Sequence, residues 1–153
     1  MKPLKTNVEE VLRGAIASEM KTRALYLKMA EGAPEGPVQM RLIRLADAQL
    51  LHRARLERRY RELLRTNAPD PEAFTIADIP PEAPDLDLKR VLKIALEHER
   101  ESESNYRFLA ERVPDDRELE SLFHELAELE WSHKIELQKE YDQLEPEGFL
   151  SDI

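Results

Sequence analysis

Apolar residues recur with helical spacing in four stretches of this 153-residue chain, and turn-forming residues separate the stretches. Val8, Leu12, Ala15, Ile16, Leu27 and Ala30 form the first series. Thr6 and Glu9 have capping-box spacing, and Gly32 with Pro34 stops the run, so a helix over about 6–31 is predicted. Gly36-Pro37 opens the second stretch, where proline suits the first helical position. Its apolar series of Met40, Ile43, Leu45, Leu50, Leu56, Leu63 and Leu64 predicts a helix over about 37–65. A third helix is expected over about 86–112, capped by Asp85 or Asp87 and closed by Pro114. Asp115 and Glu118 repeat the capping-box spacing and open a fourth over about 115–144, ahead of Pro146 and Gly148. The turns after the first and third helices are short, which makes each successive pair antiparallel neighbours.

Residues 66–85 differ from this pattern. Five of the ten prolines fall there (Pro69, Pro71, Pro80, Pro81 and Pro84), which rules out a long helix. A connection of this length is expected to carry the chain from one helical hairpin to the other, with Phe74 and Ile76 pinning it. The expected fold is all-α: an antiparallel four-helix bundle with a long crossover between helices 2 and 3. A single domain over 1–153 is expected because each half is too short to bury much alone.

The two halves also repeat one another. Val11, Leu12, Ala15, Glu19, Tyr26 and Ala30 recur 80 residues on as Val91, Leu92, Ala95, Glu99, Tyr106 and Ala110. After one extra residue, Leu45, Ala46, His52, Leu56 and Tyr60 recur 81 residues on as Leu126, Ala127, His133, Leu137 and Tyr141. Carboxylates and imidazoles that keep step with the apolar positions point to two hairpins related by a pseudo-two-fold axis, with both polar sets facing one interior point.

Composition narrows the chemistry. A formal charge of -9 works against nucleic acid as the main partner, because phosphate contacts need a concentrated basic face. Arg53, Arg55, Arg58, Arg59, Arg61 and Arg65 cluster near a helix end where cations suit the dipole, and they read as a solvated face with ion pairs. With no cysteine, disulfides, thiolate metal sites and cysteine nucleophiles are excluded. No apolar run approaches the roughly 20 residues that span a bilayer, and Met1 to Asn7 has no secretory-type hydrophobic stretch. A soluble cytoplasmic protein is the expectation.

Residues seven apart on a helix lie about 20° apart in projection, so Glu19 shares a stripe with Leu12 and Tyr26, as Glu99 does with Leu92 and Tyr106. Buried carboxylates at symmetry-related positions repel one another unless a cation lies between them. Glu130 and His133 have the Glu-x-x-His spacing of bundle metal sites. Glu19, His52, Glu99, Glu130 and His133 are therefore candidate metal ligands. Oxygen and imidazole donors without thiolate suit iron or manganese, with zinc possible through geometry. A histidine standing alone at a helix interface is more often a core residue, and core packing accounts equally well for Tyr26 and Tyr106. His98 and His124 fall off the ligand stripe and read as surface residues. Met20, Met29 and Met40 read as gap fillers, and Trp131 as a residue of a neighbouring face available to a dimer contact.

From about Thr6 to Leu144, the chain resembles the rubrerythrin branch of the ferritin-like proteins. The likeness rests on Glu19 through Tyr26, Leu45-Ala46 through His52, Glu99 through Tyr106, and Leu126-Ala127 through Glu130 and His133. It implies a non-haem di-iron oxidoreductase that reduces peroxide or dioxygen, as in oxidative stress, and a homodimer. Tyr26 and Tyr106 would hydrogen-bond ligand carboxylates or intercept oxidising equivalents. Where the family carries a glutamate three residues before the first histidine, this chain has Gln49. Glu19, Glu99 and Glu130 thus supply three negative charges where four would balance two divalent ions. A family carboxylate one turn along helix 3 is replaced by Ser102. Glu103 is a possible substitute ligand, its alternative being an ion pair with its repeat counterpart Arg23. The family's rubredoxin-like iron site needs four cysteines, so an external electron donor is expected. Ferrous iron handling without efficient turnover, and an interaction module that has lost its chemistry, are the competing readings. The tail from Gly148 to Ile153, with Phe149, Leu150 and Ile153 apolar, docks either on the bundle or on a partner.

Overall fold

The structure is a computed structural model that describes residues 4–33, 35–70 and 87–151, with side chains over 8–33, 35–70 and 87–144. It has four helices, α1 (Leu4–Gly32), α2 (Pro37–Leu64), α3 (Leu88–Glu111) and α4 (Arg117–Ser151). Among the described residues there is no strand, and the expected all-α class with its order of four helices is borne out. Pro34, the crossover's Phe74 and Ile76, Ile153 and the side chains of Thr6, Phe149 and Leu150 lie outside the described residues.

Local chemistry accounts for the helix ends. At Gly36 φ is 141°, a region that residues with a Cβ disfavour, and Pro37 follows at the first helical position. Arg65 closes α2 in the left-handed region at φ 59°, donating its N–H to the carbonyl of Arg61 at 2.9 Å. Asp87 is the cap of α3: its backbone is extended and its side chain accepts the Arg90 N–H at 2.8 Å.

Three boundaries differ from expectation. α1 begins at Leu4, so Thr6 lies within the helix and is not its cap. At α4 the cap is Asp116 and not Asp115. The Asp116 carbonyl accepts the first intrahelical bond from Glu120 at 2.9 Å, and its carboxylate accepts the Leu119 N–H at 3.0 Å. The preceding turn sets this choice, because the Asp116 N–H is bonded to the Val113 carbonyl at 3.1 Å. α4 also continues past Leu144 to Ser151. Pro146 removes one N–H from the ladder, a local loss that does not by itself end a helix.

The chain divides into two compact units, Met1–Asp85 and Leu86–Ile153, each a helical hairpin. In the first, Tyr60 donates to Glu9 at 3.1 Å, and Gln39 donates to the Ala30 carbonyl at 3.1 Å. Contacts that pair the start of one helix with the end of the other define α1 and α2 as antiparallel. Leu12, Ile16, Leu42, Ala46, Leu56 and Tyr60 form its core. In the second, Lys89 lies over the Tyr141 ring at 5.9 Å, and Arg107 reaches Glu128 at 3.2 Å, the same antiparallel relation. Leu92, Leu119, Phe123, Leu126 and Leu137 are fully buried there, each leucine contributing about 1.5–3 kcal/mol by leaving water.

The apolar series on α2 needs correction. Its buried residues are Leu42, Leu45, Ala46, Gln49, His52, Leu56 and Tyr60, whereas Met40, Ile43 and Leu50 are exposed. Met40 therefore fills no core gap. The helix carries apolar residues on two faces, and packing selects the one that contains Gln49 and His52. The arginine face matches expectation: Arg53 pairs with Glu57 at 3.4 Å, while Arg58 and Arg59 both reach Glu62, at 3.2 and 3.1 Å.

Candidate metal centre

Each hairpin buries its own polar set on the stripe that forms its core. In the first hairpin, α1 places Glu19 one turn from Ala15 and Ile16, and α2 places His52 one turn from Leu56. Glu19 and His52 are each 4% exposed, with Oε2 and Nδ1 3.6 Å apart. Gln49 is also buried, and its Oε1 has no hydrogen-bond partner among the described residues.

The second hairpin repeats this arrangement with a carboxylate where the first has the amide. Glu99 of α3 and Glu130 and His133 of α4 each bring one donor atom into a cluster whose members all lie within 4.8 Å of one another. Glu99 is 1% exposed and Glu130 fully buried, while His133 is half-buried. His133 Nδ1 lies 3.9 Å from Glu99 Oε2. Neither oxygen of Glu99 has a hydrogen-bond partner among the described residues. A carboxylate taken out of water without hydrogen bonds costs several kcal/mol unless a cation accompanies it.

The donor spacing fits a metal. Two atoms each about 2.1 Å from one ion are at most about 4.2 Å apart. Both imidazole to carboxylate distances, 3.6 and 3.9 Å, fall below that limit and exceed a hydrogen bond. Oxygen and nitrogen donors in this number suit iron, manganese or zinc.

Tyr26 and Tyr106 are buried on these same stripes, Tyr106 stacked on Phe123 with ring centroids 6.0 Å apart. His124 is exposed and His98 half-buried, so His98 is less of a surface residue than its sequence position implies. Trp131, next to Glu130 in sequence, is exposed, consistent with its neighbouring face.

Glu103 has cationic partners within its own hairpin. One oxygen accepts from Lys134 at 2.8 Å and the other from Arg107 at 2.9 Å, while Arg107 also reaches Glu128 at 3.2 Å. Burial alone would raise the Glu103 carboxyl pKa, but the hydrogen bonds from Lys134 and Arg107 outweigh it and hold the group below the usual glutamate range. Sequence reading did not find Lys134, because the bridge joins residues 31 apart on different helices. It ties α3 to α4 one turn from Glu99 and one residue from His133.

Glu103→Gln should lower stability by about 1–3 kcal/mol near pH 7, the cost of losing a charged acceptor with two donors. A depressed folded-state pKa contributes stability that is complete above the unfolded value of about 4.3 and disappears as pH falls through the folded value. Urea unfolding of both proteins at neutral and acid pH checks this, and an equal stability gap at both would refute it.

The four helices with their buried carboxylate and imidazole sets define a ferritin-like protein of the metal-binding kind. The chain belongs to the rubrerythrin family, whose sequence pattern it matches over residues 10–141. This is a ferritin-like di-iron family, so membership implies iron binding. A solved structure of a hypothetical protein from Pyrococcus furiosus is similar, with a TM-score of 0.66 and 25% identity, covering 90% of this chain and 89% of that one. No curated protein matches the sequence significantly. Among the described residues no helix is long and apolar enough to cross a membrane.

Proposed function

We propose that Glu19, His52, Glu99, Glu130 and His133 hold a non-haem di-iron centre that reduces peroxide or dioxygen in the cytoplasm, with electrons from an external donor. One observation carries the reading. Glu99, a buried carboxylate whose oxygens have no hydrogen-bond partner among the described residues, lies beside His133 in a chain of the rubrerythrin family. The sequence repeat supports the reading by giving each hairpin a carboxylate and an imidazole at matching positions.

Bound there, iron would supply electrons and Lewis acidity to the O–O bond, each hydrogen peroxide taking two electrons and two protons to give two waters. The protein's part is to bind, orient and exclude water. His52 and His133 would bind the iron as neutral imidazoles, and the three glutamates would bring three negative charges. Each glutamate has two oxygens and so can bind through one or both. Burial of Glu19, Glu99 and Glu130 keeps bulk water from these oxygens. Tyr26 and Tyr106 lie within the same buried stripes, where a phenol can donate to a ligand carboxylate or be oxidised in place of a less tolerant residue.

The neutral Gln49 favours a second reading, in which ferrous ion is bound, oxidised and passed on without efficient turnover. The measurement that separates the two is peroxide consumption by iron-loaded protein with excess chemical reductant. The leading reading expects many peroxides reduced per chain and a rate proportional to iron content. A single round of iron oxidation followed by no further consumption would support iron handling instead. Protein that takes up no metal at all would reject both and leave an interaction module.

A further inference from the structure

The two hairpins differ in charge at a further pair of repeat positions, next to the ligand sets. In the second hairpin Glu103 lies one turn after Glu99, Lys134 follows His133, and the two are joined at 2.8 Å. The equivalent residues of the first hairpin, 80 and 81 positions earlier, are Arg23 and Arg53. Arg23 lies one turn after Glu19, and Arg53 follows His52. The helices approach alike at this level, since Glu19 and His52 are 3.6 Å apart and Glu99 and His133 are 3.9 Å apart. Where one hairpin sets a carboxylate against an ammonium, the other therefore sets two guanidinium groups against each other.

Two facing cations repel unless an anion joins them. The Nε atoms of Arg23 and Arg53 are both buried and have no hydrogen-bond partner among the described residues. Arg53 lies 3.4 Å from Glu57 on its own helix, which offsets one of the two charges. Glu19 directs its Oε2 to His52 instead. In the second hairpin Arg107 links Glu103 onward to Glu128, but the repeat position of Arg107 is Leu27, so no such charged link extends from Arg23. Both arginines are half-buried, which leaves them open to a small solute.

We propose that Arg23 and Arg53 form a binding site for a phosphate group, held between α1 and α2 beside Glu19 and His52. A guanidinium group presents its N–H donors as a planar fork that matches two oxygens of an oxyanion. One fork uses up both oxygens of a carboxylate, whereas a tetrahedral phosphate has oxygens for a second fork arriving from another helix. Its negative charge also meets the positive charge that Glu57 leaves over. Neither arginine belongs to the metal-ligand sets, so the site does not depend on the proposed redox chemistry.

Calorimetric titration of the full chain with inorganic phosphate, at an ionic strength fixed with chloride, tests this. The expected result is saturable binding with a Kd of about 1 mM or tighter. Arg23→Gln and Arg53→Gln should each weaken it by about tenfold or more, through loss of one charged fork. Arg23→Glu together with Arg53→Lys gives the first hairpin the pair that the second already carries, so this variant should keep its helices by circular dichroism and bind no phosphate. Arg58→Gln removes an equal charge from an exposed residue of α2 that pairs with Glu62, and it should change the Kd by no more than about twofold because surface charges are screened. Glycerol phosphate, titrated in parallel, separates the sources: binding as tight as that of inorganic phosphate assigns the site to phosphorylated small molecules as well, and its failure to bind assigns the free ion. No binding up to about 10 mM phosphate, or an equal loss from Arg58→Gln, would overturn the proposal. So would a Kd unchanged in the Arg23→Glu/Arg53→Lys variant, since phosphate would then be held elsewhere, as on a bound metal.

Discussion

Glu130→Ala together with His133→Ala should abolish metal binding by the second hairpin, lowering its affinity by more than about 100-fold, since loss of a mere supporting partner already costs 10–100-fold. The two residues bring a carboxylate and an imidazole from one face of α4 to Glu99, and no other histidine or glutamate belongs to that cluster among the described residues. His98→Ala should leave metal content unchanged. Metal per chain by elemental analysis after gentle purification is the measurement, and equal content in all variants would refute the assignment. The same logic predicts that chelation destabilises the unaltered protein. Metal present at about 100 times its Kd adds about 2.7 kcal/mol to stability, and that increment should be lost on chelation and absent from the double variant.

Gln49→Glu should act in the opposite direction. Gln49 is 2% exposed at the repeat position of Glu130, so the two hairpins differ there by one negative charge in similarly buried surroundings. An amide presents one neutral oxygen, whereas a carboxylate brings a full charge and two. The half-site of Glu19 and His52 should therefore bind metal less tightly than that of Glu99, Glu130 and His133, giving substoichiometric or mixed occupancy. The substitution should strengthen the weaker position at least tenfold, raise content towards two metals per chain, and increase the rate of peroxide reduction. Two tightly held metals already present in the unaltered protein, with no change on substitution, would mean that another group completes the site. Glu103, despite its bonds to Lys134 and Arg107, would then be the first to test.

Much of the candidate site was legible because it repeats. Glu19 and Glu99 share stripes with Leu12 and Leu92, and all four are buried. The repeat also isolates Gln49, since the residue 81 positions on is Glu130. Glu103 was not legible in the same way. Its spacing from Glu99 permits either a ligand or an ion pair, and only the approach of α4 supplies Lys134.

Short-range periodicity and punctuation determined the four helices, their order, and the stripes on which the polar residues fall. These depend on bonds four residues apart and on caps such as Asp87, all contained in the local chain. Tertiary packing decided what local spacing leaves degenerate. It buried Leu42 and Gln49 of α2 while leaving Met40, Ile43 and Leu51 in water, and it joined Glu103 to Lys134. A helix with apolar residues on two faces has no local reason to bury one of them. The choice rests on which face meets a neighbouring helix, and that neighbour is distant in sequence.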